Sequence, residues 1–436
     1  MAAHVSDWSA KEEENVRLDG LDLSAPGRGP LRKVMAAVKE AFDEGGGGGV
    51  PEVWVVNEIR RRVERASRDR ETILYDDNNN PHHVVILPKF KLEDVGITPG
   101  SDDASWVQAS HVHPAFVYHD GSGDPHEIPE LYIGKYLAAN DGSGKPITMP
   151  GLTPWVGVGS AALDFNAKCR GMNSGYETPE GNSYRDGLHW SLCTLPTYAA
   201  IRLMLSTEYG EAASEITGNV GDGSTEPPWR LGAPAGDTGM TLTGTGPTSW
   251  NPGGICDLVG NADEVVADAT LWKAEVRVMR DNDALRWGIA DSTRYIVKAD
   301  GTLVKPSNTS SFTSGAMKFD GTGPAAETGD TEGLALTTVS PANASGAASN
   351  RYYCKFSELA PLSGVTVPTL MRALTLAPVA GLTQPGIIRV STYGSKLSIL
   401  VGGGKDAGAG AGIYNIRSTG FSGGFSAAGF RVVYMP

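Results

Sequence analysis

Apolar residues fall at helical spacing in three stretches of this chain, and elsewhere they gather in short strand-like runs. Residues 31–42 (LRKVMAAVKEAF) carry apolar positions one helical turn apart, with Pro30 just before them as a start signal. Residues 55–70 set Val56, Ile59 and Val63 on one stripe. That stripe serves either a packed amphipathic helix or a docking or trimerising one, and it is shorter than the several heptads of a coiled coil. Residues 191–209 (SLCTLPTYAAIRLMLSTEY) have Pro196 in the first turn and Tyr198, Ile201, Leu205 and Tyr209 at helical spacing.

Strand-like runs follow another rhythm. TILYDD and HHVVILPKF flank Asn78-Asn79-Asn80-Pro81, a hairpin-type turn signal. Residues 129–136 (PELYIGKY), 274–279 and 430–434 read as further strands, whereas residues 210–254 are loop-like, dense in Gly, Thr and Pro. Asp43, Glu44 and the glycines at 45–49 compose a flexible linker. The pattern predicts an N-terminal helical attachment or oligomerisation segment, residues 1–71, followed by one large α+β domain over residues 72–436.

Composition sharpens this picture. With 56 Gly and 27 Pro among 436 residues, many turns and modest helix content are expected. A net charge of −13 argues against a protein that grips nucleic-acid phosphates and against attachment to an anionic membrane. The opening residues, MAAHVSDWSAKEEENVR, lack the basic and apolar regions of a secretory signal, and no apolar run is long enough to span a bilayer. Cys169, Cys193, Cys256 and Cys354 show no C-x-x-C spacing and read as buried free thiols.

Five segments in order carry a resemblance: residues 72–90 (TILYDDNNNPHHVVILPKF), 133–136 (IGKY), 187–200 (GLHWSLCTLPTYAA), 251–264 (NPGGICDLVGNADE) and 429–433 (GFRVV). Together they resemble the C-type-lectin fold of the formylglycine-generating-enzyme branch, in the form similar to phage tail-tip adhesins and to the variable proteins of diversity-generating retroelements. The residues themselves have structural readings. Gly260 and Asn261 suit a left-handed turn, Glu264 stands where its carboxylate can tie that turn down, Phe430 returns the last strand to the core, and Arg431 can clamp a carboxylate with both ends of its fork. Where the family commonly has aromatic residues around that carboxylate, this chain has Ala262, Asp263, Val265 and Val266.

Catalysis finds little support. The oxidase of this branch uses a late pair of cysteines to bind copper, and residues 386–436 contain none. His82, His83, His111, His113, His119 and His126, with Asp76, Asp77, Asp102, Asp103 and Asp120 nearby, show no recognised metal-ligand spacing and read as turn residues. Asp-Gly-Ser-Gly turns at Asp120 and Asp141, and a similar one at Gly221, read as solvated loops, with structural calcium left open and no other cofactor expected. The glycines at 402–404 and 408–412 do not join a strand to a helix in the dinucleotide-binding manner.

The most distinctive stretch is residues 386–436, where runs of Gly, Ala and Ser separate isolated polar and aromatic residues. Small residues let backbone segments cross closely, and sparse Tyr, Asn and Arg on such a scaffold supply the chemistry of a recognition surface. Either the aromatics are core and the glycines shape a meander, or they are presented on a binding face. The resemblance favours the second, since this segment forms the family's ligand-binding face. The expected contacts are Lys405, Asp406, Tyr414, Asn415, Arg417, Ser418 and Phe421, with Trp229 and Trp250 as flanking candidates. What the resemblance implies is a non-enzymatic phage tail-tip or tail-fibre receptor-binding protein in the virion tail. It would recognise a host cell-surface protein or glycan, join other tail proteins through its N-terminal segment, and assemble as a homotrimer. The alternatives are a cellular ligand-binding protein diversified by a retroelement and a metal-dependent oxidase on the same fold.

Overall fold

The computed structural model describes residues 53–100, 110–119, 124–159, 161–173, 189–210, 240–244, 253–279, 282, 294–306, 312–322, 330–340, 351–392, 396–405, 407, 411–420 and 425–436. The expected helix at 31–42 and the glycine linker lie outside them. Residue contacts divide the chain into two units, at Tyr75 and Asp76. The architecture is mixed α+β, mostly sheet with few helices.

In the first unit, helix α1 (Val53–Ser67) covers the second predicted helical stretch and strand β1 (Glu71–Tyr75) follows it. Arg68 and Asp69, both left-handed, make the turn between them. Thr72 donates to Glu64 (2.7 Å), and Ser67 accepts from the Glu71 amide (3.0 Å), so the helix end and the strand start are pinned by side chains.

The second unit begins with an Asp76 turn, in which one carboxylate oxygen accepts from the Asn78 and Asn80 amides, both at 2.8 Å. Its main elements in chain order are β2 (Pro81–Pro88), β3 (Glu130–Gly134), α2 (Ala162–Arg170), β4 (His189–Leu192), α3 (Leu195–Tyr209), β5 (Asp263–Trp272) and β6 (Glu275–Met279). After these come β7 (Asp330–Glu332), β8 (Arg351–Lys355), α4 (Thr369–Ala373), β9 (Ile387–Ser391), β10 (Leu397–Val401), β11 (Ile416–Gly420), β12 (Ala428–Phe430) and β13 (Val432–Met435). Helix α3 starts later than periodicity predicts, because Ser191 and Leu192 pair with Val433 and Val432 of β13. Thr194 then caps it, accepting from the Thr197 amide, with Pro196 in the first turn.

Two sheets organise this unit. One has the order β2–β3–β13–β4, so the strand that comes last in sequence lies between two early ones. The other runs β7–β8–β9–β11–β10–β5–β6 and continues through Lys318–Gly321 and Leu334–Thr337, with Arg294–Val297 also on β6. Its pairings are mixed: β7/β8, β9/β11 and β12/β5 are parallel, and β8/β9, β11/β10 and β10/β5 are antiparallel. Every residue of β5 is buried, which erases the period-two alternation by which a strand is recognised in sequence. Helix α3 lies in the core, with Tyr198, Ile201 and Leu205 all inaccessible, alongside Val266 and Leu271 from β5 and Ile399 from β10.

Candidate functional site

The scaffold of the C-terminal segment is set by two buried arginines. Arg431, between β12 and β13, donates Nε and Nη2 to the two oxygens of Glu264 at 3.0 and 2.9 Å, the bidentate clamp its sequence position suggested. Its remaining donors reach the carbonyls of Gly134 (2.8 Å) and Cys256 (2.9 Å), so one guanidinium ties β3, the loop before β5, and β5 itself together. Burial alone would lower the Arg431 pKa, but the Glu264 charge and hydrogen bonds carry it above its ordinary value. Next to Glu264, Gly260 and Asn261 are both left-handed, with φ of 75° and 63°. That geometry turns the Asn261 amide onto Thr241, accepting from its N–H (2.9 Å) and donating to its carbonyl (3.1 Å).

The second arginine is Arg202, wholly buried on α3. It donates to the carbonyls of Ile413 and Asn415 (2.7 Å to the latter) and to the Thr375 hydroxyl (3.0 Å). Its guanidinium also lies 4.7 Å from the Tyr198 ring centroid and 5.6 Å from that of Tyr414. Burial pushes the Arg202 pKa down to about 10, leaving it charged at neutral pH. The residues it holds cross another chain segment at van der Waals limits. A Cβ on Gly386 (φ 136°) would stand 2.5 Å from the Asn415 nitrogen, and one on Gly412 would stand 2.5 Å from the Pro385 carbonyl oxygen. Close backbone crossing is what the glycines of this segment provide.

On the outer side of this crossing is an open cleft of about 210 Å3. Asn261 and Asp263 line it from the start of β5, Ile387 and Arg389 from β9, Asn415 and Arg417 from the start of β11, and Lys405 from the glycine turn after β10. Met240 and Ala427 complete the apolar part of its wall. Arg417 is ion-paired with Asp263, and Arg389 with Asp330 (2.7 Å), which also takes Arg351 (3.0 Å). With their side chains 37% and 39% exposed, Arg417 and Arg389 are held by a carboxylate on one side and open to solvent on the other. A rigid concave surface with several charged donors can bind a polar ligand without rearrangement.

The expected contact residues separate into three groups. Lys405, Asn415 and Arg417 come together on the cleft. Tyr414 and Ser418 do not, which corrects the expectation for both. Tyr414 is a core residue with no exposed surface: its hydroxyl donates to the Arg202 carbonyl (3.2 Å) and shares a hydrogen bond with Ser206 (2.9 Å), and its ring packs on Phe356 at 5.0 Å. Ser418 alternates inward from Arg417 along β11, and its hydroxyl accepts from the Ser391 amide at 2.8 Å. Asp406 and Phe421, like Trp229 and Trp250, lie outside the described residues. Sequence reasoning missed Asn261, Asp263 and Arg389 as cleft residues. The β9 pattern IIRVS puts Arg389 on an outward position, but only the strand pairing brings it to Arg417.

Among the described histidines His82, His83 and His113 are buried, whereas His126 is exposed. His82 is buried against Trp190 (4.3 Å between centroids) and 3.6 Å from Asp76, and burial holds its pKa below the usual value despite that carboxylate. His113 caps a 3-10 turn, its Nδ1 accepting from the Ala115 amide (3.2 Å) while Nε2 donates to the Ala373 carbonyl (2.8 Å). Burial pushes its pKa down to about 4, so it is neutral at physiological pH. The Asp141 turn is satisfied locally: its carboxylate accepts from the Ser143 and Lys145 amides (2.8 and 3.0 Å) and from the Ser143 hydroxyl (2.7 Å). Among the described residues no three His, Cys, Asp or Glu side chains are grouped to hold a metal ion. All four cysteines are buried free thiols. The sequence matches no protein-family model and no curated protein.

Proposed function

We propose that this chain is a phage tail-tip or tail-fibre receptor-binding protein, a C-type-lectin-like domain of the formylglycine-generating-enzyme type that adheres to a host cell-surface ligand. The observation that carries the reading is the convergence of Lys405, Asn415 and Arg417, chosen from sequence as binding residues, on one open cleft. Further support comes from the buried frame behind it. Glu264 with Arg431 fixes the end of β12, and Arg202 fixes the backbone of residues 413–415, so the presenting segment loses little entropy on binding. In this reading residues 1–71 join other tail proteins, and a homotrimer multiplies weak single-site affinity into firm attachment. The chemistry is non-covalent adhesion, with no catalytic step and no cofactor.

The test is binding of purified protein to intact bacterial cells, wild type against a Lys405→Ala, Asn415→Ala, Arg417→Ala triple variant, after both melt at the same temperature. Binding by the wild type that the variant loses supports the reading. Equal binding by both moves the receptor site away from this cleft, and no binding across a broad host panel removes adhesion as the function.

A further inference from the structure

We propose that the cleft recognises an acidic saccharide, with the sugar's carboxylate or phosphate taken by Arg389 and Arg417 and its hydroxyls by Asn415 and Lys405. This rests on the receptor-binding reading of the same cleft. Arg389 and Arg417 stand directly opposite each other in the parallel pairing of β9 with β11, and both face outward, since Ile388, Val390, Ile416 and Ser418 face the core. Like charges opposite on neighbouring strands repel, so the pair is a liability for the sheet alone. Among the described residues two carboxylates face it. Asp263 holds Arg417, while Asp330 is shared by Arg389 and Arg351. Among the described residues, three arginines thus share two carboxylates along this edge of the cleft, on a chain whose overall charge is −13. A local cationic excess on an acidic protein attracts an anion, and two planar guanidinium forks match the oxygens of a carboxylate or phosphate.

The shape selects the body that carries the anion. The recess holds about 210 Å3, the scale of one sugar ring. Ile387 and Met240 give the recess an apolar wall for the C–H face of a ring, beside the polar groups that meet its hydroxyl edge. Half-exposed Tyr353 is the neighbour of Arg389 on β8 and extends the same outer face by an aromatic platform for the next ring of an oligosaccharide.

The experiment is calorimetric titration of the full chain with three probes: oligogalacturonate, a mannose 6-phosphate oligosaccharide, and carboxyl-reduced oligogalacturonate as the neutral control. Binding of either acidic probe, at least about tenfold tighter than the neutral one and weakened by salt, is expected; which probe binds distinguishes a carboxylate from a phosphate ligand. Arg389→Gln, whose carboxylate partner keeps Arg351, is expected to lose about tenfold or more in affinity, Arg389→Lys to lose less, and Lys89→Gln, after β2 and paired with Glu127, to lose nothing. The inference is overturned if neither acidic probe binds, if the neutral probe binds equally well, or if Lys89→Gln weakens binding as much as Arg389→Gln. Cell binding that survives an excess of both acidic probes and disappears after protease treatment of the cells would leave adhesion standing and make the receptor a protein.

Discussion

Replacing Glu264 by Gln is the sharpest probe of the frame behind the cleft. The substitution keeps the shape and one acceptor but turns the other oxygen into an N–H2 group facing Arg431, whose Nε and Nη2 now bond to the two carboxylate oxygens at 3.0 and 2.9 Å. One charge-assisted hydrogen bond is lost, at about 1.5–3 kcal/mol. The guanidinium, with no accessible surface, also becomes an unpaired buried charge, and removal of one partner from such a pair costs about 3–5 kcal/mol in total. Arg431→Met is expected to cost at least as much, because it strands the Glu264 carboxylate and also orphans the carbonyls of Gly134 and Cys256. The double variant Arg431→Met, Glu264→Leu leaves no unpaired charge and only those two carbonyls, at roughly 1–3 kcal/mol each. It should therefore be less destabilised than the sum of the singles by about 3 kcal/mol or more. Urea unfolding followed by tryptophan fluorescence measures this, Trp190 being buried beside Tyr434 of β13. A Glu264→Gln cost below about 1 kcal/mol, or a double variant additive within about 0.5 kcal/mol, would refute the account of a charge-paired clamp.

Two further predictions concern the surroundings of this frame. Burial pushes the Asp257 pKa up from 3.8 to about 6, with Glu264 adding to the rise and the Gly244 amide and Arg431 opposing it. A raised carboxyl pKa means that the folded state holds the proton more tightly, so stability from this group is present below pH 4 and is lost as pH rises to about 6, amounting to roughly 3 kcal/mol. Asp257→Asn should abolish that loss, and unfolding curves of both proteins at pH 4 and 6.5 that shift in parallel would sink the assignment. Gly386→Ala forces a Cβ to 2.5 Å from the Asn415 nitrogen at a φ of 136°, and is expected to cost about 1–3 kcal/mol and to weaken ligand binding by displacing Asn415. A melt and a titration indistinguishable from wild type would show that the crossing is not tight.

Much of the frame was legible in the sequence because its cues are local or chemically singular. Gly260-Asn261 announced a left-handed turn, Pro196 and the Tyr198–Ile201–Leu205 stripe announced α3, and Arg431 announced a carboxylate partner. The cleft was only half legible. Lys405, Asn415 and Arg417 were found as polar residues stranded among glycines, but the same reasoning chose Tyr414 and Ser418, which face inward. Glycine-rich segments offer no apolar neighbours from which to tell one face from the other, so the direction of Tyr414 depends on Arg202 and Phe356, far away in sequence. Arg389 and Asp263 were missed for a related reason. Parallel pairing of β9 with β11 and the fully buried β5 leave no short-range pattern to read.

The position of β13 has a consequence for how the protein is made. As the chain emerges from the ribosome, β3 and β4 are exposed long before the strand that fits between them, and the residues of the cleft are synthesised in the interval. Until β13 and the adjoining Arg431 appear, two strand edges stay unpaired and Glu264 lacks its counter-charge. Such a nascent chain is open to association with its neighbours. Formation of the sheet behind the cleft is therefore coupled to completion of translation through β13, and a chain terminated before that strand would lack both the partner of β3 and β4 and the counter-charge of Glu264.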